Sequence, residues 1–88
     1  LSLEQKRPAY TVRLDETGLS VEQNGEKASW AWAALTAAYR LPQCVCLYPT
    51  PRNAFLLPEE ADTRREVERS WELILTHLEE GKVFDLRG

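Results

Sequence analysis

The chain has no methionine, a single histidine and no apolar run near the roughly 18 residues of a membrane-spanning helix. Each scarcity removes a class of function. One histidine and four glycines leave no His-Glu-x-x-His, no Gly-x-Ser-x-Gly and no phosphate-cradling glycine loop. Excess positive charge is also missing: the net charge is −3 and the sequence pI about 5.1. That balance argues against nucleic acid as a partner and against a basic membrane-binding patch. The two cysteines, Cys44 and Cys46, stand two apart in a strand-like run, where disulfide geometry is hard to reach. As metal ligands they lack partners, since a closed site wants four. They read as small strand residues, one or both buried, and reduced thiols suit a cytosolic setting. No cofactor is expected. With Leu1 first and no methionine, the sequence reads as a segment of a longer chain, residues 1–8 forming a junction that contains Lys6-Arg7.

What is present centres on Ser29 to Leu35. Trp30 and Trp32 lie two apart, so in an extended segment both face one side, and a buried aromatic covers about 150–250 Å². Before them, Tyr10, Val12 and Leu14 alternate with Thr11 and Arg13 as in a half-buried strand. Asp15 to Gly18 is a turn, Leu19 to Gln23 alternates again, and Asn24-Gly25 is a strong hairpin signal. Lys27 to Trp32 returns as the third strand of an antiparallel meander. Trp32 to Leu35 is a corner or a single helical turn. Strands are expected at Thr36 to Leu41, at Cys44 to Tyr48 (a central strand, being continuously apolar) and at Ala54 to Leu57. Pro42-Gln43 and Pro49 to Asn53 interrupt them.

A helix is expected over Glu59 to Glu80, capped by Asp62 or Thr63 and ended by Gly81 as its C′ residue. Its apolar stripe is Val67, Trp71, Ile74, Leu75 and Leu78. Lys82 to Gly88 is a tail that forms a short extra strand or tucks onto the sheet. The expected domain, residues 9–80, is therefore α+β: a bent antiparallel sheet or partial barrel of five or six strands, packed by one C-terminal amphipathic helix. Its core residues are Trp30, Trp32, Leu35, Leu47, Val67, Trp71, Leu75 and Leu78.

This order of elements carries a resemblance. Gly18 to Val21, the pair Trp32 and Leu35, Cys46-Leu47-Tyr48 and Leu57-Pro58 before an amphipathic helix resemble the C-terminal domain of the YcxB-like family, itself similar to the bacterial pleckstrin-homology-like fold. The resemblance spans about Tyr10 to Leu78. It implies a cytoplasmic domain that follows a pair of transmembrane helices in the parent protein, with membrane contact only through that missing part. Trp30 departs from the pattern, where a smaller aliphatic residue is typical.

Convergent catalytic groups are not apparent. His77 flanks the helix stripe and reads as a boundary residue, and the acids at the helix start complement its dipole. Positive charge is not concentrated anywhere, with three arginines against eight acids between Glu59 and Glu80. The sequence therefore points to a non-enzymatic interaction or regulatory module with an unidentified protein partner. The surfaces it offers are the loop residues Tyr48, Pro49, Pro51 and Arg52, or an open sheet edge. Lipid sensing by a pleckstrin-like domain and self-association are the alternatives.

Overall fold

Asn24 and Gly25 set the register of the first sheet. In the computed structural model, which describes residues 2–6 and 10–87 (of 2–6 the backbone alone), Asn24 has φ 49° and Gly25 φ 81°. A two-residue primed turn requires both values to be positive. Strands β3 (Gly18–Gln23) and β4 (Glu26–Ala31) leave this turn with Gln23 opposite Glu26 and Leu19 opposite Trp30. Strand β2 (Thr11–Asp15) pairs antiparallel with β3, and Val12, Leu14, Leu19 and Val21 are buried on one face. Outside β2 runs β1 (Ser2–Lys6), also antiparallel. Residues 2–6, expected in a junction, thus belong to the sheet; Leu1, the Arg7-Pro8 end of that junction and Ala9 lie outside the described residues.

Gly18 is required by space as well as by its φ of 148°. A β-carbon there would sit 2.0 Å from the carbonyl oxygen of Trp30, which is backbone and has no freedom to retreat. Beside it the Asp15 carboxylate accepts hydrogen bonds from the Thr17 hydroxyl and from the Thr17 and Gly18 amides. The turn is thereby closed by its own side chain.

The chain leaves the first sheet through a single 3-10 turn, Trp32–Ala34, as the sequence suggests. The indole N–H of Trp32 donates to the Asp15 carbonyl at 3.0 Å, and Leu35 behind it is fully buried. Then come β5 (Ala37–Leu41), β6 (Cys44–Thr50) and β7 (Asn53–Pro58), a second antiparallel meander. The last strand, β8 (Val83–Asp85), pairs with β5 in parallel. The described residues form an α+β fold of two four-stranded sheets, ordered β1-β2-β3-β4 and β7-β6-β5-β8. The expectation of five or six strands falls short because β1 and β8 pair as well.

Helix α1 (Arg64–His77) lies across both sheets, against β1 and β2 of one and β6 of the other. It is shorter than expected at both ends, for tertiary reasons. The Thr63 hydroxyl accepts from the Glu60 amide and donates to the Pro58 carbonyl, so residues 59–62 are held in a turn. At the other end Leu78 becomes extended and buries its side chain; Gly81 falls in the following 3-10 turn, Glu80–Lys82. The buried stripe is Val67, Ser70, Trp71 and Ile74. Leu75, expected in the core, is 53% exposed, because about 100° of rotation per residue carries it past the edge of that stripe. Trp30, also expected inside, is only half-buried because β4 is a sheet edge. Trp32, Leu35, Leu47, Val67, Trp71 and Leu78 are core.

Urea denaturation checks the two most constrained positions. Trp71→Ala should cost about 3–5 kcal/mol through the cavity it leaves. Gly18→Ala, which adds one methyl to a turn, should cost about 3 kcal/mol or more.

Candidate partner-binding site

The second meander turns at Pro51-Arg52, and this turn is smaller than the loop expected from the sequence. Strand β6 continues through Pro49 to Thr50, with a register irregularity between Leu47 and Thr50. Such an irregularity accommodates a residue that has no ladder donor. Pro49 is buried and Tyr48 half-buried, so both belong to the strand; Pro51 and Arg52 are exposed. The Thr50 hydroxyl accepts from the Asn53 amide at 3.2 Å and closes the turn.

The turn stands between two concavities. One, of about 560 Å³, is lined by Gln23, Trp30, Pro49, Arg52, Asn53 and Phe55. The other, of about 420 Å³, is lined by Thr36, Ala37, Tyr39, Tyr48 and Pro51. In the first, the Trp30 and Phe55 rings lie 6.0 Å apart, and Tyr10 meets Phe55 edge-on at 5.4 Å. That cluster brings β4 of one sheet beside β7 of the other.

The two strands that meet there treat their edges differently. The Tyr10 hydroxyl donates to the Leu56 carbonyl and accepts from the Leu56 amide, both at 3.3 Å. Pro58, two residues on, has no amide hydrogen to offer. The β7 edge is therefore blunted. On β4, the two-residue turn makes Gln23–Glu26, Val21–Ala28 and Leu19–Trp30 the hydrogen-bonded pairs, so Lys27, Ser29 and Ala31 turn their backbone groups outward. No described strand pairs with that side, and β4 contains neither proline nor bulge.

Elsewhere the reactive side chains are dispersed or committed. The Cys44 and Cys46 sulfurs are 3.8 Å apart and unbonded. Burial, reinforced by the contact with Cys44, pushes the Cys46 thiol up to about 11, so it stays protonated at neutral pH. His77 is exposed and stacks on Trp32 at 5.3 Å. Among the described residues no three His, Cys, Asp or Glu side chains converge as a metal site, and no helix is long and apolar enough to cross a membrane.

Sequence reasoning missed Arg40, which is 1% exposed. Its Nη1 donates to the Leu41 and Cys44 carbonyls at 2.8 and 3.4 Å. Its Nη2 reaches Glu59 at 2.6 Å and Glu68 at 2.7 Å. Arg87 adds a longer contact to Glu68 at 3.6 Å. These contacts tie β5, Glu59 and α1 to one buried cation, whose Nε has no hydrogen-bond partner among the described residues. The available signal was parity, because Ala38 points inward and Arg40 follows it by two. No family model, curated protein or solved structure matches the chain.

Two stability experiments follow from these contacts. Arg40→Ala should cost about 3–5 kcal/mol, since it leaves the largely buried Glu59 carboxylate without its cation, while the exposed Arg87→Ala should cost under about 1. The Asp15 carboxyl is held below its ordinary value of 3.8, first by the Thr17 hydroxyl and then by backbone amides. A depressed carboxyl stabilises above its unfolded pKa, and that stabilisation is lost as pH falls through the native one. Asp15→Asn should accordingly flatten the loss of stability below about pH 4, as read by thermal melts across pH.

Proposed function

We propose that this domain is a non-catalytic interaction module that takes up an extended segment of a partner protein along the outer edge of β4. The observation that carries the reading is the open edge itself, with three outward-turned residues, Lys27, Ser29 and Ala31, beside the Trp30–Phe55 concavity. Added strands gain affinity from main-chain hydrogen bonds and specificity from pockets for alternate side chains. Here the aromatic floor would take an apolar side chain, and Arg52 beside it favours an acidic neighbour. The order of two meanders and then a helix supports a pleckstrin-homology-like partial barrel, and with it the resemblance to the YcxB-like family. On that reading the domain sits on the cytoplasmic side of a membrane-anchored bacterial protein. Its acidic balance speaks against lipid headgroups as the ligand.

The test is a phage-displayed library of unstructured peptides, panned on the wild type and on Ser29→Pro. Proline at an edge position removes one outward amide and leaves the backbone bonds to β3 intact, losing only the exposed hydroxyl contact between Ser20 and Ser29. Enriched peptides should lose at least about tenfold in affinity on Ser29→Pro, with stability changed by under about 1 kcal/mol. Equal retention on both proteins, or no enrichment at all, sinks the edge reading. Detergent-dependent extraction of the full parent product checks the membrane anchoring, and pelleting with anionic vesicles would restore the lipid alternative.

A further inference from the structure

The second sheet is apolar on both faces. Its inward side is Val45, Leu47, Ala38 and Leu57, all buried in the core. Strand alternation places the neighbouring residues on the other side, and the register aligns them. Leu56 of β7 lies opposite Cys46 of β6, Cys46 opposite Tyr39 of β5, and Tyr39 beside Phe84 of β8. One uncharged row thus crosses all four strands. Tyr39 stacks on Phe84 at 4.9 Å and meets Tyr48 edge-on at 5.5 Å, which extends the row into a patch. Leu56 remains 45% and Phe84 41% exposed. No described strand position on this face carries a charged side chain, although more than a quarter of the chain is charged.

An antiparallel sheet with one solvated face ordinarily shows polar residues there, whereas a strand as continuously apolar as Cys-Val-Cys-Leu-Tyr is covered on both sides. Helix α1 and the first sheet cover the inner side. We propose that the outer side is covered by a second copy of this chain, face to face, as two sheets pack in a sandwich.

Charge selects that occupant. The chain has a net charge of −3, with eight acids against three arginines between Glu59 and Glu80, so two copies repel where those surfaces meet. This face lets them meet without a like-charge conflict, and an isologous contact asks only that a surface match itself. Size fits as well. Four strands at about 4.8 Å spacing and up to seven residues at about 3.4 Å rise give roughly 400 Å² per copy. Two such faces with their rims approach about 1,000 Å², the lower limit for a specific interface, so the dimer is weak and concentration-dependent. The contact leaves β4, in the other sheet, untouched.

Sedimentation equilibrium from micromolar to millimolar concentration tests the proposal. The expected result is a reversible monomer–dimer equilibrium whose dissociation constant rises at least about thirtyfold in Leu56→Lys and in Phe84→Glu. Leu75→Lys, an equally exposed leucine on α1, should leave it unchanged. Monomer throughout would overturn the proposal and assign the face to a different partner. A dimer that survives both face variants, or that Leu75→Lys weakens equally, would overturn it too. Should a face variant unfold, concentration-dependent amide shifts of the wild type decide the matter. Shifts centred on Tyr39, Cys46, Tyr48 and Phe84 support the face, and shifts centred on β4 or α1 refute it.

Discussion

The guanidinium of Arg40 is the constraint on which the arrangement of helix and second sheet depends. A cation with 1% exposure has given up its hydration, and that loss is several kcal/mol unless fixed acceptors replace the water. Replacing it takes three separate pieces of chain. The carbonyls of Leu41 and Cys44 come from the β5–β6 turn, Glu59 from the segment after β7 and Glu68 from α1. The Arg40 carbonyl in turn accepts from the Leu86 amide, and Arg87 reaches Glu68, so the C-terminal strand is tied to the same point. Sliding α1 by one turn would carry Glu68 about 5.4 Å away and leave the charge underpaired. The apolar stripe of the helix alone would tolerate such a shift far better. The buried ion pair thus contributes more to uniqueness of packing than to net stability.

Much of this fold was legible in the sequence, wherever one face of a strand is buried and the other is not. Val12, Leu14, Leu19 and Val21 alternate cleanly, and Asn24-Gly25 fixes their register, so the first meander could be written down in advance. β1 could not, because Ser-Leu-Glu-Gln-Lys holds one apolar residue and no alternation. β8 was expected as one of two outcomes for the tail, but not its pairing, because local pattern does not encode a parallel ladder to a strand more than forty residues earlier. Thr63 does stand at the N-cap, as one of the two expected caps, but the C-terminal end was misplaced because Leu78 answers to tertiary contacts and not to intrinsic propensity. Pro49 looked like a strand breaker, yet the irregularity after Leu47 seats it inside β6. At the candidate site, the exposure of Pro51 and Arg52 was readable. The aromatic floor was not, since Tyr10, Trp30 and Phe55 come from three separated segments.

The edges of the two sheets differ in how they are closed, and the difference concentrates interest on one strand. β8 covers the outer side of β5, while the Tyr10 hydroxyl occupies the backbone of Leu56 on β7. Proteins manage exposed edges because an open one pairs with whatever extended chain arrives. β4 has only Glu26 and Lys27, both at its start, as such safeguards within the strand, and it ends at the Trp30–Phe55 cluster. The β4 edge is thus left open beside an aromatic floor, whereas the β7 edge that meets it there is blunted.

The open edge and the apolar face lie on different sheets, so occupying one does not consume the other. A single added strand in a groove of this size binds weakly, and a face of roughly 400 Å² also associates weakly. Coupling changes that arithmetic. A two-fold pair holds two β4 edges at a fixed separation, and a partner with two suitable segments, or two copies held near each other at one surface, then meets the second edge at a high effective concentration. Binding would become steep in the local density of the domain while each contact stayed reversible. On that proposal a small domain with no convergent catalytic groups among its described residues would respond to its own local density through sheet edges and sheet faces alone.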